Sequence, residues 1–428
     1  MTTTLQAIRG MNDVLPDEAE GWHTLERVAR ETFSAYGYRE VRLPLLERTE
    51  LFKRSIGEMT DIVEKEMFTF EDRSGDSVTL RPEATAGVVR ACISNGLLHN
   101  QRQKLWCLGP MFRHEKPQKG RYRQFHQIDV EALGFPGPDV DAEIILLSAR
   151  IWRRLGLTGV ELNLNSLGTP ESRREYRTLL TDYFRAHEAQ LDDDSRRRLD
   201  GNPLRILDSK NPELQVLIGG APVITDHLDA ESAEHFAQLK ALLDAADVRY
   251  RLNPRIVRGL DYYSRTVFEW VTTELGSQGA ICSGGRYDGL VAQLGGAPTP
   301  AIGWALGQER IVELMRVQRL PLDDLKPHAY FVLAGTTAER TGIGLAERWR
   351  EAVPGLRIEV NAGGGGIKSQ MKRADRSGAR VALLLGDDEL ARGMVAIKDL
   401  RGGAEQRDVA SENLADELRR IVQPRSST

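Results

Sequence analysis

Cysteine is scarce: three residues, Cys92, Cys107 and Cys282, in a chain of 428. They lie too far apart for a CxxC metal or redox pair and are too few for a disulfide-stapled fold. No apolar run approaches the roughly 18 residues that argue for a membrane span. The opening MTTTLQAIRG lacks the apolar stretch of a secretory signal. These absences point to a reduced, cytoplasmic, soluble protein. Charge of one sign is also missing, since 58 Lys and Arg stand against 62 Asp and Glu, a formal net charge of −4. Any nucleic-acid contact must therefore rest on local basic patches, not on bulk positive charge. No HExxH pair occurs, and His114 and His126 are too far apart for a two-histidine helical ligand set. No protein-held catalytic metal is expected. No GxGxxG follows a strand, and GGGGIKS (363–369) fails the P-loop spacing because its Lys does not adjoin the last Gly. If a nucleotide binds, arginines must do the work of a phosphate loop.

An apolar fraction of 41% and a charged fraction of 28% describe an ordinary globular chain. Its length suggests two to four domains. Apolar spacing predicts a helix over 18–36, closed by Gly37, and an alternating strand over Tyr38–Leu43 that Pro44 stops. Further strands are expected at 67–71, 77–80, 104–112, 125–133 and 160–164, with a helix at 143–155. From about 170 to 246 the texture turns helical and charge-rich. Strand signals return at 250–257 and 267–271. Gly284, Gly285 and Gly289 read as a tight turn, and residues 300–316 are expected to begin a helix. Beyond the prolines at 321 and 327, strands and helices alternate, which indicates a compact α/β unit with a partly parallel sheet. Before them, strands cluster without regular intervening helices, which favours an antiparallel sheet.

The densest chemistry lies in PMFRHEKPQKGRYRQFHQIDVEALG (110–134), two strand-like runs around a polar loop. Arg113 ends the first run, while Gln127, Asp129 and Glu131 alternate on one face of the second. The loop carries Lys116, Lys119, Arg121 and Arg123 around Tyr122. Such a run suits a phosphate-bearing strand, although charge alone fits a solvated hairpin loop as well.

FRHE, the basic loop and RYRQF resemble motif 2 of the class II aminoacyl-tRNA synthetases, AIGWALGQER (301–310) their motif 3, and YGYREVRLPLLE (36–47) their motif 1. RGLDYYSRTVFE (258–269), SGGRYDGL (283–290) and LRPEATAGVVRA (80–91) are similar to segments of the histidyl branch of that family. The resemblance runs from about residue 5 to about 415. One departure is Gln308, where the family is expected to carry an apolar residue.

The resemblance implies an α+β fold: a class II antiparallel sheet flanked by helices, a helical insertion, and a C-terminal α/β anticodon-binding domain. It implies catalytic segments at 1–168 and 247–322, the insertion at 169–246, a linker at 323–328 and the anticodon domain at 329–428. The activity implied is ligation of histidine to tRNA(His) with ATP, Mg²⁺ arriving on the nucleotide. The assembly implied is a homodimer. Arg113, Arg258 and Arg310 would be catalytic. Glu83, Thr85, Gln127, Glu131, Arg258, Tyr262 and Tyr263 would bind histidine, with either Asp129 or Glu131 as the acidic end of motif 2. Arg113, Glu115, Arg121 and Arg310 would bind ATP. Gln118 and Arg123 would meet the tRNA acceptor end, and Lys368, Lys372 and Arg376, four apart on one helix, the anticodon. The alternative is a synthetase-like regulatory subunit of ATP phosphoribosyltransferase. Those paralogues generally lack the α/β tail and tend to lose the motif 2 loop, and both are present here.

Overall fold

A computed structural model describes residues 4–57, 60, 62–118, 120–209, 211–256, 262–276 and 279–423. The chain divides into two compact units, 1–323 and 324–428.

The first unit opens with the helix Pro16–Ala35. Pro16 sits in its first turn with Asp17 and Glu18, and the Glu18 carboxylate accepts from the Leu15 N–H at 3.3 Å. Proline and acidic side chains suit that end because its N–H groups have no intrahelical partner. Leu25, Val28, Ala29 and Phe33 form its buried stripe. Gly37, at φ +75°, turns the chain out of the helix.

Eleven strands follow among the described residues: β1 (Arg39–Glu40), β2 (Leu46–Arg48), β3 (Phe68–Glu71), β4 (Ser77–Leu80), β5 (Gln103–Phe112), β6 (Gln124–Leu133), β7 (Val160–Ser166), β8 (Tyr250–Leu252), β9 (Ser264–Thr272), β10 (Ala280–Arg286) and β11 (Ala301–Gly307). Eight of them make one sheet in the order β1-β5-β6-β11-β10-β9-β7-β8. Its interior pairs are antiparallel, and only the edge pairs β1–β5 and β7–β8 are parallel. β2, β4 and β3 form a separate small sheet.

Alternation along β6 sorts the two faces. Ile128, Val130 and Ala132 enter a core with Trp106, Trp304 and the helices Pro16–Ala35, Pro138–Leu155, Ala230–Ala245 and Gln308–Val317. Gln127, Asp129 and Glu131 face the other way. The helices Thr85–Ser94 and Pro170–Ala186 supply the second core on that side. The 169–246 stretch is mainly helical, as its composition suggested, and includes the helices Pro170–Ala186, Asp193–Gly201 and Ala230–Ala245.

Five expectations need correction. The helix expected at 143–155 starts at Pro138, because Gly137–Pro138 supplies a helix start that apolar spacing does not register. The strand expected over 38–43 shortens to two residues pairing with β5, and that expected over 250–257 to Tyr250–Leu252, residue 257 lying outside the described residues. Residues 301–307 form a strand, with the helix starting only at Gln308. Gly284 and Gly285 lie inside β10, not in a turn. A Cβ at Gly284 would fall within 2.9 Å of the Trp304 backbone, and one at Gly285 2.6 Å from Thr266 O. These glycines mark close approach by neighbouring strands, which sequence cannot distinguish from a bend.

The second unit is a five-stranded sheet, β12 (Ala329–Ala334), β13 (Ile358–Val360), β14 (Val381–Gly386), β15 (Met394–Asp399) and β16 (Arg407–Ala410), ordered β13-β12-β14-β15-β16. The first three are mutually parallel and the last two antiparallel. Thr336–Ala352, Ile367–Arg376 and Leu414–Val422 are its longer helices. β16 and the last helix had no counterpart in the sequence reading.

Candidate active site

A cavity of about 290 Å³ opens on the Gln127–Asp129 face of the large sheet. Glu83, Thr85, Arg113, Glu115, Arg121, Gln127, Asp129, Tyr262, Tyr263 and Arg310 all line it. Most residues predicted to meet histidine or ATP are thus brought together from five chain segments; Glu131 is not among the lining residues and lies buried behind them, 1% exposed. Arg258 lies outside the described residues.

Arg113 follows directly on β5, and its backbone N–H donates to Arg123 O at 2.9 Å, continuing the hairpin. Its guanidinium lies 5.2 Å from the centre of the Phe125 ring, and Nε donates to Pro82 O at 2.8 Å. Ring and carbonyl fix the planar fork, so its remaining donors are pre-aimed. Arg121 Nε sits 2.5 Å from Glu115 Oε2, with the carboxylate buried and the arginine half exposed. Arg310, from the first turn of its helix, donates from Nε to Gly120 O at 3.2 Å and from Nη1 to Ala280 O. Burial, followed by the charge of Arg121, pulls its pKa down. An anion placed there would offset both effects.

The acidic wall is buried. Burial raises the pKa of Glu83 against a 3.0 Å hydrogen bond from the Ala86 N–H and the charge of Arg113. Asp129 is raised well above the usual carboxylate range by burial and then by Glu83. Among the described residues its Oδ2 has no hydrogen-bond partner, and neither has Gln127 Oε1. Glu131 is also raised by burial, but it is held on both oxygens: Thr85 Oγ1 donates to Oε1 at 2.7 Å and the Tyr287 hydroxyl to Oε2. Thr85, expected from the resemblance to bind histidine, donates its hydroxyl hydrogen to Glu131. Gly303 on β11 is the register partner of Glu131, and a Cβ there would lie 2.5 Å from Glu131 Cδ.

Residues 10–311 match the family described as histidyl-tRNA synthetase, and residues 332–421 the anticodon binding domain. The chain belongs to the histidyl-tRNA synthetase family. It is 59% identical to the histidine–tRNA ligase of Halorhodospira halophila (strain DSM 244 / SL1) over 418 residues, 98% of each chain. Its fold is similar to the crystal structure of apo S. aureus histidyl-tRNA synthetase, with TM-score 0.81 and 34% identity, covering 97% of this chain and all of that one. It also resembles, at TM-score 0.63 and 20% identity, an ATP phosphoribosyltransferase regulatory subunit/histidyl-tRNA synthetase from Bacillus halodurans C, covering 90% of this chain and 99% of that one. That last likeness speaks for the fold alone.

Within this family member, the sequence assigns no role to Tyr287, nor to Gly303 and Glu309, although the last two stand in the motif 3 segment. Tyr287 lay in SGGRYDGL, where only the glycines drew notice. Glu309 accepts from the His126 backbone N–H at 2.9 Å and contacts its Nδ1 at 3.0 Å, clamping motif 3 to motif 2. Only the register across β6 and β11 reveals either link. Of the residues expected to meet tRNA, Gln118 is exposed at the loop tip, whereas Arg123 is half-buried with Nε donating to Glu115 O at 3.4 Å. Lys368, Lys372 and Arg376 are exposed on the helix Ile367–Arg376, without a hydrogen bond or ion pair among the described residues. Asp375, which could have neutralised them, lies 2.9 Å from Arg401 Nη1 instead.

Proposed function

We propose that the chain joins L-histidine to tRNA(His) in two steps: ATP activates the carboxylate as histidyl-adenylate with loss of pyrophosphate, and the tRNA then takes the histidyl group, releasing AMP. The observation that carries this reading is the cavity itself, in which Arg113 and Arg310 face the buried carboxylates of Glu83 and Asp129. Activation brings the histidine carboxylate against the α-phosphate, so two anions must meet. Preorganised cations on the developing charge are what lowers that barrier. Arg113 bridges the α-phosphate and the carboxylate, and Arg310 holds the γ-phosphate. Arg258 completes the clamp by family resemblance. Glu115 orients Arg121 toward the nucleotide. Mg²⁺ enters on ATP, and Glu269, a cavity-lining carboxylate whose charge acts on Arg310, is an oxygen donor fit to face it.

Glu83, with Gln127, takes the α-ammonium, whose positive charge restores the ionised carboxylate that burial disfavours. Glu131 and Tyr263 take the imidazole, with Tyr262 shaping the pocket. A buried acceptor left unpaired by an apolar side chain would reject it strongly. Gln118 and Arg123 approach the acceptor end of the tRNA, and Lys368, Lys372 and Arg376 follow successive anticodon phosphates. The regulatory-subunit alternative fits less well, because residues 332–421 match an anticodon binding domain.

The protein works as a cytoplasmic homodimer. Leu46 and Phe70 are 43% and 48% exposed on one face of the small β2-β4-β3 sheet, beside the motif 1 segment. Two-fold burial of such a patch is the commonest solution. Among the described residues no helix is long and apolar enough to cross a membrane. The deciding experiment is histidine-dependent exchange of labelled pyrophosphate into ATP. Histidine alone among the amino acids should support it, and exchange that is absent or indifferent to the amino acid would overturn the reading.

A further inference from the structure

Arg286 is the last residue of β10 and is wholly buried, 0% exposed. Its Nε donates to Asp141 Oδ2 at 3.0 Å, and Nη2 lies 2.7 Å from Asp141 Oδ1. Nη1 donates to Phe135 O at 3.0 Å and Asp288 Oδ1 at 3.2 Å, and Nη2 donates to Gly137 O. Every nitrogen of the fork thus donates a hydrogen bond, and a lysine ammonium could not reproduce their directions. Phe135 and Gly137 lie in the connection that leaves β6, the strand carrying Gln127, Asp129 and Glu131. Asp141 also meets His235 Nε2 at 2.8 Å, so the helix Ala230–Ala245 is tied to the same carboxylate.

Between Arg286 and Asp288 stands Tyr287, whose hydroxyl donates to Glu131. Asp288 Oδ1 accepts from Arg286 and also from the Ala301 N–H at 3.0 Å, while the Tyr287 N–H donates to Ala301 O at 2.8 Å. The backbone is therefore pinned on both sides of Tyr287, against β11 and against the end of β6. At this point β10 also has an irregular register with β9, where Gly285 pairs Val267 but Arg286 pairs Ser264. A ladder interrupted there cannot by itself fix the angle of the next side chain. A buried ion pair is weak evidence for added stability, and a geometric role is the better reason to bury this one.

We propose that Arg286 is a positioning residue for histidine recognition, holding the Tyr287 hydroxyl on Glu131 so that this carboxylate presents one fixed geometry to the imidazole. The inference rests on the histidine-ligating function proposed above. Arg286 does not touch the substrate; its effect passes through Tyr287. The nucleotide end of the cavity, at Arg113 and Arg310, hangs on other contacts and is left unchanged.

The test is pyrophosphate exchange with KM for histidine and for ATP measured separately, on full-length protein with its fold checked by thermal melting. Arg286→Lys should raise KM for histidine about tenfold or more, the scale of one hydrogen bond to a charged group, and leave KM for ATP within about twofold. In a Tyr287→Phe background the same substitution should add almost nothing, since the bond through which it acts is gone. An equal rise for both substrates, no rise, or a full additional effect on Tyr287→Phe overturns the proposal. Should Arg286→Lys not fold, Asp288→Ala decides. It should raise KM for histidine selectively, and Asp288→Asn, which keeps the accepting oxygen, should restore it; no selectivity or no rescue overturns the idea. Wild-type protein inert with histidine would sink the functional reading as well, whereas failure with an active wild type is the proposal's alone.

Discussion

Replacing Gly303 with alanine puts a methyl group where the Glu131 carboxylate already lies, with Glu131 Cδ 2.5 Å and Val130 O 2.8 Å from the new carbon. Val130 O is backbone within an antiparallel ladder and cannot retreat cheaply. Glu131, 1% exposed, can move only by giving up the Thr85 or Tyr287 hydrogen bond. Overpacking of this kind costs about 1–3 kcal/mol of stability. One lost hydrogen bond to a carboxylate adds about 1.5–3 kcal/mol. The second amount falls on the atoms that would receive imidazole, so KM for histidine should rise about tenfold to a hundredfold. The thermal midpoint should drop by several degrees, and KM for ATP should change little. Gly307 is the matched control, since a Cβ there meets only Arg310 carbons at 4.0 Å, an ordinary contact. Steady-state pyrophosphate exchange with both variants reads the difference directly. A Gly303→Ala protein with unchanged KM for histidine would show that Glu131 does not govern recognition.

Gln308 is wholly buried, and neither amide atom has a hydrogen-bond partner among the described residues, so Gln308→Leu should raise stability by about 1–3 kcal/mol, measured by denaturant unfolding; destabilisation would mean that the amide has a partner. In the second unit, burial and then Arg357 pull the His328 pKa down to about 4, its Nδ1 accepting the Arg357 N–H at 3.0 Å. A depressed histidine contributes fully above the unfolded value near 6.5, and its contribution is lost as pH falls to about 4. The loss should approach about 3 kcal/mol, and unfolding curves for His328→Asn should be flatter over that window. Charge removal at Lys368, Lys372 and Arg376 together should weaken tRNA charging and lower its salt dependence, while pyrophosphate exchange is unchanged; unaltered charging would remove this helix from the tRNA interface. Light scattering should return twice the chain mass, and a value near 47.8 kDa at micromolar concentration would refute the dimer.

Much of this protein is written locally. The helix Pro16–Ala35 follows from its apolar stripe and Gly37, β5 and β6 from alternation around a polar loop, and the tail from its repeated strand–helix pattern. Arg113, Glu83 and Arg310 were singled out by resemblance to short, contiguous family motifs, and the fold gathers them at one cavity. What sequence left open is whatever depends on strands meeting across a sheet. Asp129 and Glu131 look alike two residues apart on one strand. Register alone puts Glu131 beneath Gly303 and between Thr85 and Tyr287, while Asp129 Oδ2 has no partner among the described residues. Gly284 and Gly285 read as a turn because the clash that forbids a side chain comes from a neighbouring strand. Arg286, one charged residue among many in the sequence, gains meaning only when β10, the end of β6 and the start of the Pro138–Leu155 helix close around it. Periodicity reports which face a residue takes, and tertiary pairing decides what it finds there.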